Sequence, residues 1–366
     1  MKATAAVLNQ ANGPFSLEAV DVADPQAGEV RVAIKAVGIC HSDLVIASGA
    51  MGLQFPAVLG HEGAGIVESV GAGVSSVKPG DKVLLTFNSC GACAPCGHHE
   101  PAYCNHFVPL NMLAVRADGS TRVTREGQPL ADNFFGQSSF ASLSIANERN
   151  VLKLDADADL AALAPLGCGV QTGAGGVLRS LAAKAGETLV VLGAGAVGLS
   201  ALLGARIAGC SAIIVVEPQE GRRVLATQLG ATHVLDGQGD VAAAVRGILP
   251  EGADMVLDTS GFMPVVQQSV NMIANRGRVG LLGVPGSLDA ALSVPVLQLL
   301  TQGATVRGIV EGDSDPAVFL PELIAHHKAG RLPIETFSKT YRLDQINEAI
   351  ADSHQGKCVK AVLIVD

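Results

Sequence analysis

The sequence predicts an α/β protein of two domains, one rich in β-strands and one built on a doubly wound parallel sheet. Its 366 residues are more than a single hydrophobic core usually organises, and its 43 glycines and apolar fraction of 48% are typical of a folded chain with many glycine turns. Short strands separated by glycine and proline fill the first part, whereas strands and helices alternate in the second. We therefore place the parallel-sheet domain at residues 170–309 and the β-rich domain at residues 1–169 and 310–366.

The β-rich domain is predicted from short apolar segments that end in turn residues. These segments are "MKATAAVLN", "EVRVAIKAVG", "GAGIVESVGAGV" and "GDKVLL", and the turn "SSVKPGD" separates the last two. Nearer the C-terminus, "DPAVFLPELIAHHKAG" and "LDQINEAIAD" have helical periodicity. We expect both helices to return to the β-rich domain.

The parallel sheet begins with "TLVVLGAGAVGLSALLGA", which predicts a buried strand, a glycine turn and a buried helix. A membrane span is the alternative for this uncharged segment, but its glycines cluster where a span would hold leucine. The strand "AIIVVE" follows, and the later strands are "HVLD", "DMVLDTSG", "RVGLLGV" and "TVRGIV". Helices are predicted in "GRRVLATQLGA", "DVAAAVRGIL" and "PVVQQSVNMIA". The alternation predicts six parallel strands.

The glycine turn carries the pattern G-x-G-x-x-G, at Gly193, Gly195 and Gly198. Such glycines let the backbone approach a pyrophosphate at the positive end of a helix, as in a Rossmann domain. About twenty residues further on, Glu217 can accept hydrogen bonds from the adenosine ribose and repel a 2′-phosphate, which favours NAD over NADP. The arginines at 222–223 are opposing evidence, because arginine can accept that phosphate, although Arg222 can equally lie against the ribose.

Charge and composition exclude several classes of partner. The net charge is −9 and the sequence has no basic stripe, so we expect neither nucleic acid nor an anionic membrane as a partner. The N-terminal "MKATAAVLNQANG" lacks the apolar segment of a secretory signal. We therefore expect a cytoplasmic protein, in which thiols stay reduced.

Half of the eight cysteines lie in "SCGACAPCGHHEPAYC", at Cys90, Cys93, Cys96 and Cys104. Disulfides are disfavoured in a reducing compartment. The bacterial iron–sulfur pattern has three residues before its last cysteine and a proline after it, whereas here seven residues precede Cys104 and Asn105 follows. Four thiolates from short loops can close a tetrahedron, so the segment predicts a structural zinc ion.

A second metal site is predicted from Cys40 in "GICHSD", His61 in "GHEGAG" and Cys168 in "APLGCGVQTG". Two thiolates and one imidazole would leave one position of a zinc ion open, as in catalytic sites. Each of these residues alone is more often a packing residue than a ligand, so the prediction depends on their context.

Together these motifs resemble the zinc-dependent medium-chain alcohol dehydrogenases over essentially the whole chain. The resemblance rests on the order "GICHSD", "GHEGAG", "KPGDKV", the four-cysteine segment, "LGCGVQTG" and "GAGAVG". Within the family the chain is most similar to bacterial aryl-alcohol (benzyl alcohol) dehydrogenases, in "GICHSDLV", "CGVQTGAGGVL" and "VVEPQEGRR". The resemblance implies a GroES-like catalytic domain with two zinc sites, a Rossmann NAD domain, and assembly into a homodimer or homotetramer.

The resemblance also implies catalytic roles. Cys40, His61 and Cys168 would bind the catalytic zinc ion. Asp43 would hold the far nitrogen of His61, and Glu62 would be a neighbouring carboxylate or an occasional ligand. Ser42 would take the proton of the alcohol.

The implied cofactor contacts lie in both domains. Thr172 and Val197 would press on the nicotinamide ring. The rest of NAD would be held by Gly193, Gly195, Gly198, Glu217, Arg222 and Lys360.

The implied reaction is the reversible oxidation of a primary alcohol to its aldehyde, through a zinc alkoxide and hydride transfer to NAD. Phe87, Phe134 and Phe135 fall where the family lines its substrate pocket and favour an aromatic or allylic alcohol, unless they are ordinary core residues. Other interpretations are a dehydrogenase of a terpene alcohol or of the glutathione adduct of formaldehyde, and a non-catalytic NAD sensor.

Three positions depart from the family pattern. Val45 stands where many relatives have a histidine that passes the proton outward, so His41 or solvent would carry it here. His41 itself stands where many have an arginine that binds pyrophosphate, and Lys360 replaces another arginine. We expect weaker NADH binding, with a contribution from His41 that depends on pH.

Overall fold

Two structural units make up the chain in a computed structural model, which describes residues 1–49, 52–116, 118–287 and 289–366. The first unit comprises Met1–Cys168, Asp315–Lys328 and Pro333–Asp366. The second comprises Gly169–Ser314 and Ala329–Leu332. The predicted boundaries at 169 and 309 lie one and five residues from the observed ones at 168 and 314.

Two β-sheets form the first unit, which agrees with the predicted β-rich domain. Numbered along the whole chain, its strands are β1 Lys2–Leu8, β2 Phe15–Val22, β3 Glu29–Gly38, β4 Ala57–Val58, β5 Gly63–Val70, β6 Lys82–Leu85, β7 Val123–Arg125, β8 Gln128–Pro129, β9 Leu143–Asn147, β10 Val151–Lys153, β17 Ser338–Arg342 and β18 Lys360–Ile364. One sheet has the order β4-β1-β2-β7-β8. The other has the order β10-β6-β5-β3-β18-β17, and β9 also pairs with β3.

Strand β3 lies at the centre of the larger sheet and positions the residues that follow it. It pairs antiparallel with β5, β9 and β18, so most of its side chains are buried rather than alternately exposed. The strand ends at Gly38, where a Cβ atom would meet Oε2 of Glu62 at 1.8 Å. Only a glycine therefore lets the chain pass Glu62 on its way to Cys40.

Short helices connect the strands of the first unit. Within the described residues the α-helices are α1 His41–Ala47, α2 Ala94–Gly97, α3 Phe107–Asn111, α4 Leu160–Leu163, α12 Pro316–Lys328 and α13 Ile346–His354. Turns of 3₁₀ helix cover Pro101–Tyr103, Phe134–Gly136, Glu148–Asn150, Ala164–Gly167, Ile334–Phe337 and Leu343–Gln345. Helices α12 and α13 confirm the two helices predicted near the C-terminus.

Within the described residues, six parallel strands form the sheet of the second unit, as predicted. They are β11 Thr188–Leu192, β12 Ala212–Val216, β13 His233–Leu235, β14 Ala253–Asp258, β15 Ile273–Leu281 and β16 Thr305–Gly308. The order is β13-β12-β11-β14-β15-β16, so the chain starts in the middle of the sheet and builds outward in both directions. The apolar core packs on both faces of β11, β12 and β14.

The helices of the second unit are α5 Gly169–Gly175, continued by a π-helical turn at Gly176–Ser180, then α6 Ala196–Ala208, α7 Glu220–Gln228, α8 Val241–Ile248, α9 Met263–Val266, α10 Ser269–Met272 and α11 Val296–Gln302, with a 3₁₀ turn at Glu311–Asp313. The strand β11 and the helix α6 confirm the interpretation of the apolar segment as strand, turn and helix. In the described part of the chain no single helix is long and apolar enough to cross a membrane, and one bent pair, Leu160–Gly167 with Gly169–Ser180, meets that test by length and composition only.

One predicted helix was wrong in its extent. The segment "PVVQQSVNMIA" forms the two short helices α9 and α10, and its Ile273 begins strand β15 by pairing with Ala253. Val265, Val266 and Val270 give the segment several β-branched residues, which lose side-chain freedom in a helix. The pairing with β14 therefore determines where the strand starts.

Candidate active site

The four cysteines of the loop converge on one point. Their sulfur atoms, from Cys90, Cys93, Cys96 and Cys104, all lie within 4.8 Å of one another. None of the chain's eight cysteines, all of which the structure describes, is in a disulfide. The Sγ atom of Cys93 lies 3.5 Å from that of Cys96 and 3.8 Å from that of Cys104. A tetrahedral zinc ion with Zn–S bonds of about 2.3 Å separates its sulfurs by roughly 3.8 Å, so the set fits a zinc ion.

Backbone N–H groups of the loop donate to these sulfurs. The N–H of Cys90 and that of His106 donate to Sγ of Cys104 at 3.3 and 3.4 Å, and that of Ala92 donates to Sγ of Cys90 at 3.5 Å. The bond from Ala92 lowers the pKa of Cys90 to about 5, whereas burial raises the pKa of Cys104 to about 12. Adjacent thiolates repel one another, so full ionisation of the set requires a cation.

The structure also brings together Cys40, His61 and Cys168, which lie far apart in the sequence. One ligand atom from each of them and from Glu62 lies within 4.8 Å of all the others. His61 and Glu62 are fully buried, and Cys168 is buried. The Nε2 atom of His61 has no hydrogen-bond partner in the described part of the chain. A buried ring nitrogen without a partner, beside two thiols, fits a zinc ion.

Asp43 ties two of these residues together. Its Oδ1 accepts a hydrogen bond from the N–H of Gly60 at 3.0 Å and lies 2.9 Å from Nδ1 of His61. Its Oδ2 accepts from the N–H of Cys40 at 2.9 Å. Because a carboxylate only accepts, Nδ1 carries the ring proton and Nε2 is left to bind a metal.

The charges in this cluster shift the ionisation of its members. Burial opposes a charge on the ring of His61, but Asp43 outweighs it and raises the pKa of His61 well above its ordinary value. A hydrogen bond with Cys168, helped by His61, lowers the pKa of Cys40 well below its ordinary value. A thiolate is the form that binds metal, so the lowered pKa favours binding.

A buried ion pair lies beside the cluster. The Nζ atom of Lys360 is 2.5 Å from Oε2 of Glu62 and donates to the carbonyl of Ile39 at 3.0 Å. Burial raises the pKa of Glu62 while Lys360 opposes the rise, and Glu62 in turn raises the pKa of Lys360 despite its burial. The structure buries the ammonium group of Lys360 against Glu62 and the Ile39 carbonyl, and the cofactor contact that the sequence predicted for Lys360 stays a prediction.

Ser42 and His41 lie at the start of α1, directly after Cys40. The Oγ atom of Ser42 is 4.0 Å from Sγ of Cys40, and the side chain is half-buried. His41 is exposed, and Val45 is half-buried one turn later. Ser42 is therefore the hydroxyl group beside the cluster, and His41 is the polar side chain next to it that reaches solvent.

The three phenylalanines predicted to line a substrate pocket are buried. The ring of Phe135 stacks on that of His61 with a centroid distance of 4.4 Å and an interplanar angle of 20°. The ring of Phe134 meets His61 edge-on, at 5.2 Å and 89°. Phe87 is buried against Phe107. Phe134 and Phe135 thus fix the plane of the imidazole, and the role of the three phenylalanines in a substrate pocket stays a prediction.

The glycine turn of the second unit follows β11, as predicted. Gly193 has a φ of 100°, which favours glycine. A Cβ atom on Gly198 would meet the carbonyl oxygen of Gly193 at 2.0 Å, whereas one on Gly195 would meet nothing within 4 Å. Gly195 is the N-cap of α6, so open space lies at the positive end of this helix. The turn fits the pyrophosphate of a dinucleotide.

Glu217 contacts that turn, and Arg222 lies further along the chain in α7. The Oε2 atom of Glu217 accepts a hydrogen bond from the N–H of Ala194 at 2.8 Å, and its Oε1 accepts from the N–H of Gln219 at 3.0 Å. Arg222 is half-buried, and its Nε has no hydrogen-bond partner among the described residues. A carboxylate held by two backbone N–H groups is therefore present where the ribose of a dinucleotide is expected.

Thr172 and Val197 lie on two helices that touch. A Cβ atom on Gly173 of α5 would meet the carbonyl oxygen of Val197 in α6 at 2.0 Å, so the close approach requires glycine. The Oγ1 atom of Thr172 donates to Oε2 of Glu311 at 3.2 Å. The two predicted nicotinamide contacts thus lie on neighbouring helices.

Thr86 and Gln137 are buried and contact the segments of His61 and Cys168, although neither was predicted as a site residue. No local motif marks either residue. Their partners lie in distant parts of the chain, so no sequence spacing could indicate the contacts.

The chain matches two protein families and is similar to several known proteins over its whole length. Residues 26–156 match the alcohol dehydrogenase GroES-like domain, and residues 196–325 match the zinc-binding dehydrogenase family. The chain is 44% identical to geraniol dehydrogenase of Castellaniella defragrans, over 100% of this chain and 98% of that protein. An alcohol dehydrogenase zinc-binding domain protein from Burkholderia ambifaria superposes with a TM-score of 0.98 at 44% identity, over 100% of this chain and 99% of that one. Benzyl alcohol dehydrogenase from Acinetobacter calcoaceticus superposes with a TM-score of 0.96 at 37% identity, over 100% of both chains.

Proposed function

The chain belongs to the zinc-dependent medium-chain alcohol dehydrogenase family, and from this premise we propose that it reversibly oxidises a primary alcohol to its aldehyde with NAD. The observation that carries the proposal is the cluster of Cys40, His61 and Cys168, in which two thiols face a buried ring nitrogen without a partner. Three ligands of this kind leave one coordination position for a substrate oxygen. The four loop cysteines form a closed set and would bind a second, structural zinc ion.

When bound, the catalytic zinc ion supplies a Lewis acid that makes a hydroxyl proton easier to remove, and NAD supplies the hydride acceptor. The residues of the chain orient the site and move the proton. Asp43 keeps Nε2 of His61 directed at the thiols. Ser42 takes the proton of the alcohol. With valine at position 45, the exposed His41 on the same helix passes that proton to solvent.

The choice of NAD over NADP rests on Glu217. Its carboxylate is fixed to the glycine turn by the N–H of Ala194, so its charge would lie close to a 2′-phosphate and repel it. We expect Glu217→Ser to lower the ratio of kcat/KM for NAD to that for NADP by roughly tenfold or more, since close like charges cost several kcal/mol. The matched control is Glu220→Ser, which removes an exposed acid from the first turn of α7. An unchanged ratio in both variants would reject the role of Glu217.

The proposed substrate is a primary alcohol whose hydroxyl carbon is attached to an aromatic ring or a double bond. Two relatives support this choice by name, a geraniol dehydrogenase at 44% identity and a benzyl alcohol dehydrogenase at 37% identity. Loss of hydride leaves positive charge on the hydroxyl carbon, and an adjacent π-system spreads that charge and conjugates with the aldehyde.

Paired alcohols test this proposal. We would measure NADH formation with geraniol and citronellol, and with cinnamyl alcohol and 3-phenylpropanol, because only the first member of each pair is unsaturated next to the reacting carbon. We expect kcat/KM to favour the unsaturated member by about tenfold, which corresponds to about 1.4 kcal/mol. Equal values within both pairs would reject the substrate class. A rate that depends on added glutathione with formaldehyde would instead support oxidation of that adduct.

The proposal also includes a homo-oligomer that forms through the free edge of the parallel sheet. Val296, Leu297 and Leu300 of α11 are 71%, 71% and 72% exposed, and β16 is the last strand of the sheet. Exposed apolar residues next to an edge strand favour association with a second copy. Light scattering should show a dimer or tetramer, and Leu297→Lys with Leu300→Lys should reduce its mass to that of a smaller species. Val318→Lys, at an exposed valine of the first unit, is the control.

A further inference from the structure

Three distant segments supply the proposed catalytic cluster, and Asp43 ties only two of them. Its carboxylate contacts the N–H of Cys40, the N–H of Gly60 and the ring of His61. None of these three contacts reaches the segment of Cys168. A zinc site with one loosely held ligand would lose both its metal and its geometry.

We propose that Gln137 and Thr86 form a second clamp, which holds the segment of Cys168 against that of His61; this rests on the proposed role of the cluster as a catalytic zinc site. The Nε2 atom of Gln137 donates to the carbonyl of His61 at 2.9 Å and to the carbonyl of Thr86 at 3.1 Å. The Oγ1 atom of Thr86 donates to the carbonyl of Gly167 at 2.8 Å. Gly167 is the residue before Cys168, so two side chains connect the two ligands.

The amide of Gln137 has its full set of hydrogen bonds. Besides the two donated bonds, Oε1 accepts from the N–H of Gly63 at 3.1 Å and from Oγ of Ser139 at 2.7 Å. Gln137 and Thr86 are each 1% exposed. A buried amide with every donor and acceptor engaged has a single orientation. Gln137 therefore fixes the distance between the segment before β5 and the segment after β6.

Two glycines show how closely this clamp packs. A Cβ atom on Gly63 would meet Oγ of Ser139 at 2.4 Å and Oε1 of Gln137 at 3.0 Å. A Cβ atom on Gly167 would meet the carbonyl oxygen of Leu85 at 2.3 Å. Neither glycine has a positive φ, so close approach rather than a turn explains the residue type. Any side chain at either position would push apart the segments that the clamp joins.

The loop that carries Gln137 is itself held in an unfavourable conformation. Phe135 and Ser138 both have a φ of 51°, which bulky and β-carbon-bearing residues rarely adopt. Asn150 supports the loop by donating from Nδ2 to the carbonyl of Phe135 at 3.2 Å. Strain of this kind persists only where the surroundings enforce it. The surroundings here place Phe135 on the ring of His61 and Gln137 on its carbonyl.

The experiment measures how fast each zinc ion leaves the protein. Wild type, Thr86→Val, Thr86→Ser and Gln137→Met would be mixed with a colorimetric chelator, and activity would be followed in parallel to identify the ion whose loss stops alcohol oxidation. We expect Thr86→Val and Gln137→Met to release that ion about 10- to 100-fold faster, the usual effect of removing a group that supports a metal ligand. The other zinc ion should leave at the wild-type rate.

Comparing Thr86→Ser with Thr86→Val distinguishes the effect of the Thr86 hydroxyl group on the Cys168 segment from the effect of its methyl group on packing. It keeps the hydroxyl that donates to Gly167 but removes a methyl group, whereas Thr86→Val keeps the shape and removes the hydroxyl. We expect wild-type release from Thr86→Ser. Cobalt substituted for zinc should have altered visible bands in Thr86→Val and unchanged bands in Thr86→Ser. If Gln137→Met does not fold, this pair still decides the question.

A matched control is Asn347→Leu, which removes another amide that bridges the main chain of the first unit, by hydrogen bonds to the N–H and the carbonyl of Phe15. Both zinc ions should leave it at wild-type rates. Wild-type release from Thr86→Val, equal acceleration of both ions, or equal release from the valine and serine variants would overturn the clamp alone. A wild-type chain that binds only one zinc ion would overturn the proposed function as well.

Discussion

The two cysteine clusters of the first unit differ in how the chain builds them. The loop cluster comes from the fifteen residues 90–104, is partly exposed, and receives hydrogen bonds from its own backbone. The other cluster comes from residues 40, 61 and 168, lies almost entirely in the core, and is held by the side chains of Asp43, Thr86 and Gln137. One site is local, and the other exists only after the larger sheet has formed.

Under the proposed function, this difference distinguishes a zinc site that stabilises the fold from a zinc site that takes part in the reaction. A closed set of four sulfurs has no position for substrate, so its metal can contribute only to the folding of the loop. The buried set has two sulfurs and one imidazole nitrogen, with the hydroxyl group of Ser42 4.0 Å from Sγ of Cys40 and the Glu62–Lys360 ion pair beside it. Because its ligands are fixed from outside by other side chains, its geometry can be held without filling the open position.

The largest expected effect is the loss of catalysis in Cys168→Ser. This variant should lose one zinc ion and lower kcat/KM by roughly a thousandfold or more, because a Lewis acid supplies several kcal/mol of transition-state stabilisation. Elemental analysis and alcohol oxidation measure the two effects. Undiminished turnover with two zinc ions still bound would show that Cys168 is not a ligand of a catalytic zinc ion.

The next effect is a loss of stability in Cys96→Ser, at the loop cluster. We expect this variant also to lose one zinc ion and to unfold at a Tm lower by roughly 10 °C, as for the removal of about 4 kcal/mol. Its specific activity should stay near that of wild type at temperatures where it is folded. A thousandfold loss of activity with an unchanged Tm would show that the assignment of the two clusters is reversed.

The third prediction concerns the ion pair that only the buried cluster has. Lys360→Met leaves the carboxylate of Glu62 buried without its cation, which should lower the free energy of unfolding by about 3–5 kcal/mol at neutral pH. The double variant Lys360→Met with Glu62→Gln should recover most of the loss. Lys328→Met is the control, because it breaks the exposed pair with Asp155 and should have little effect.

The pH dependence of that variant gives a second measurement. Burial already raises the pKa of Glu62, and loss of Lys360 removes the charge that opposes the rise. A carboxylate whose pKa is raised in the folded state destabilises the fold at pH values above its unfolded pKa. The deficit of Lys360→Met in urea unfolding should therefore shrink as the pH is lowered toward the unfolded pKa of Glu62. A deficit that stays constant with pH would mean that lost packing, not charge, causes it.

The same contrast explains which features the sequence could predict. The loop cysteines and the glycine turn were found by spacing, because all of their partners lie within a few residues along the chain. Strands β6 and β11 were found because their apolar residues form continuous runs near turn residues. These features depend on local chain geometry, which the sequence records directly.

Contacts between distant segments could not be predicted in this way. Strand β18 pairs with β3 through residues 362–364 and 36–38, and this pairing is what brings Lys360 to Glu62. No spacing in the sequence indicates this pairing, so the Glu62–Lys360 ion pair was not predicted. The stacking of Phe135 on the ring of His61 was likewise not predicted. The resemblance to a family indicated which residues belong to the site, whereas the contacts between those residues are known only from the fold.

The smallest expected effect concerns His41, the exposed residue between the buried cluster and solvent. We propose that His41 helps to bind the pyrophosphate of NADH, a role in which arginine would supply a permanent charge. His41→Arg should therefore tighten NADH binding by a few-fold, as expected for one added charge near the surface. His41→Gln should bind NADH more weakly than His41→Arg, and titration of each protein with NADH measures the dissociation constants. Equal constants in wild type and both variants would remove His41 from cofactor binding and leave it only the transfer of the proton from Ser42.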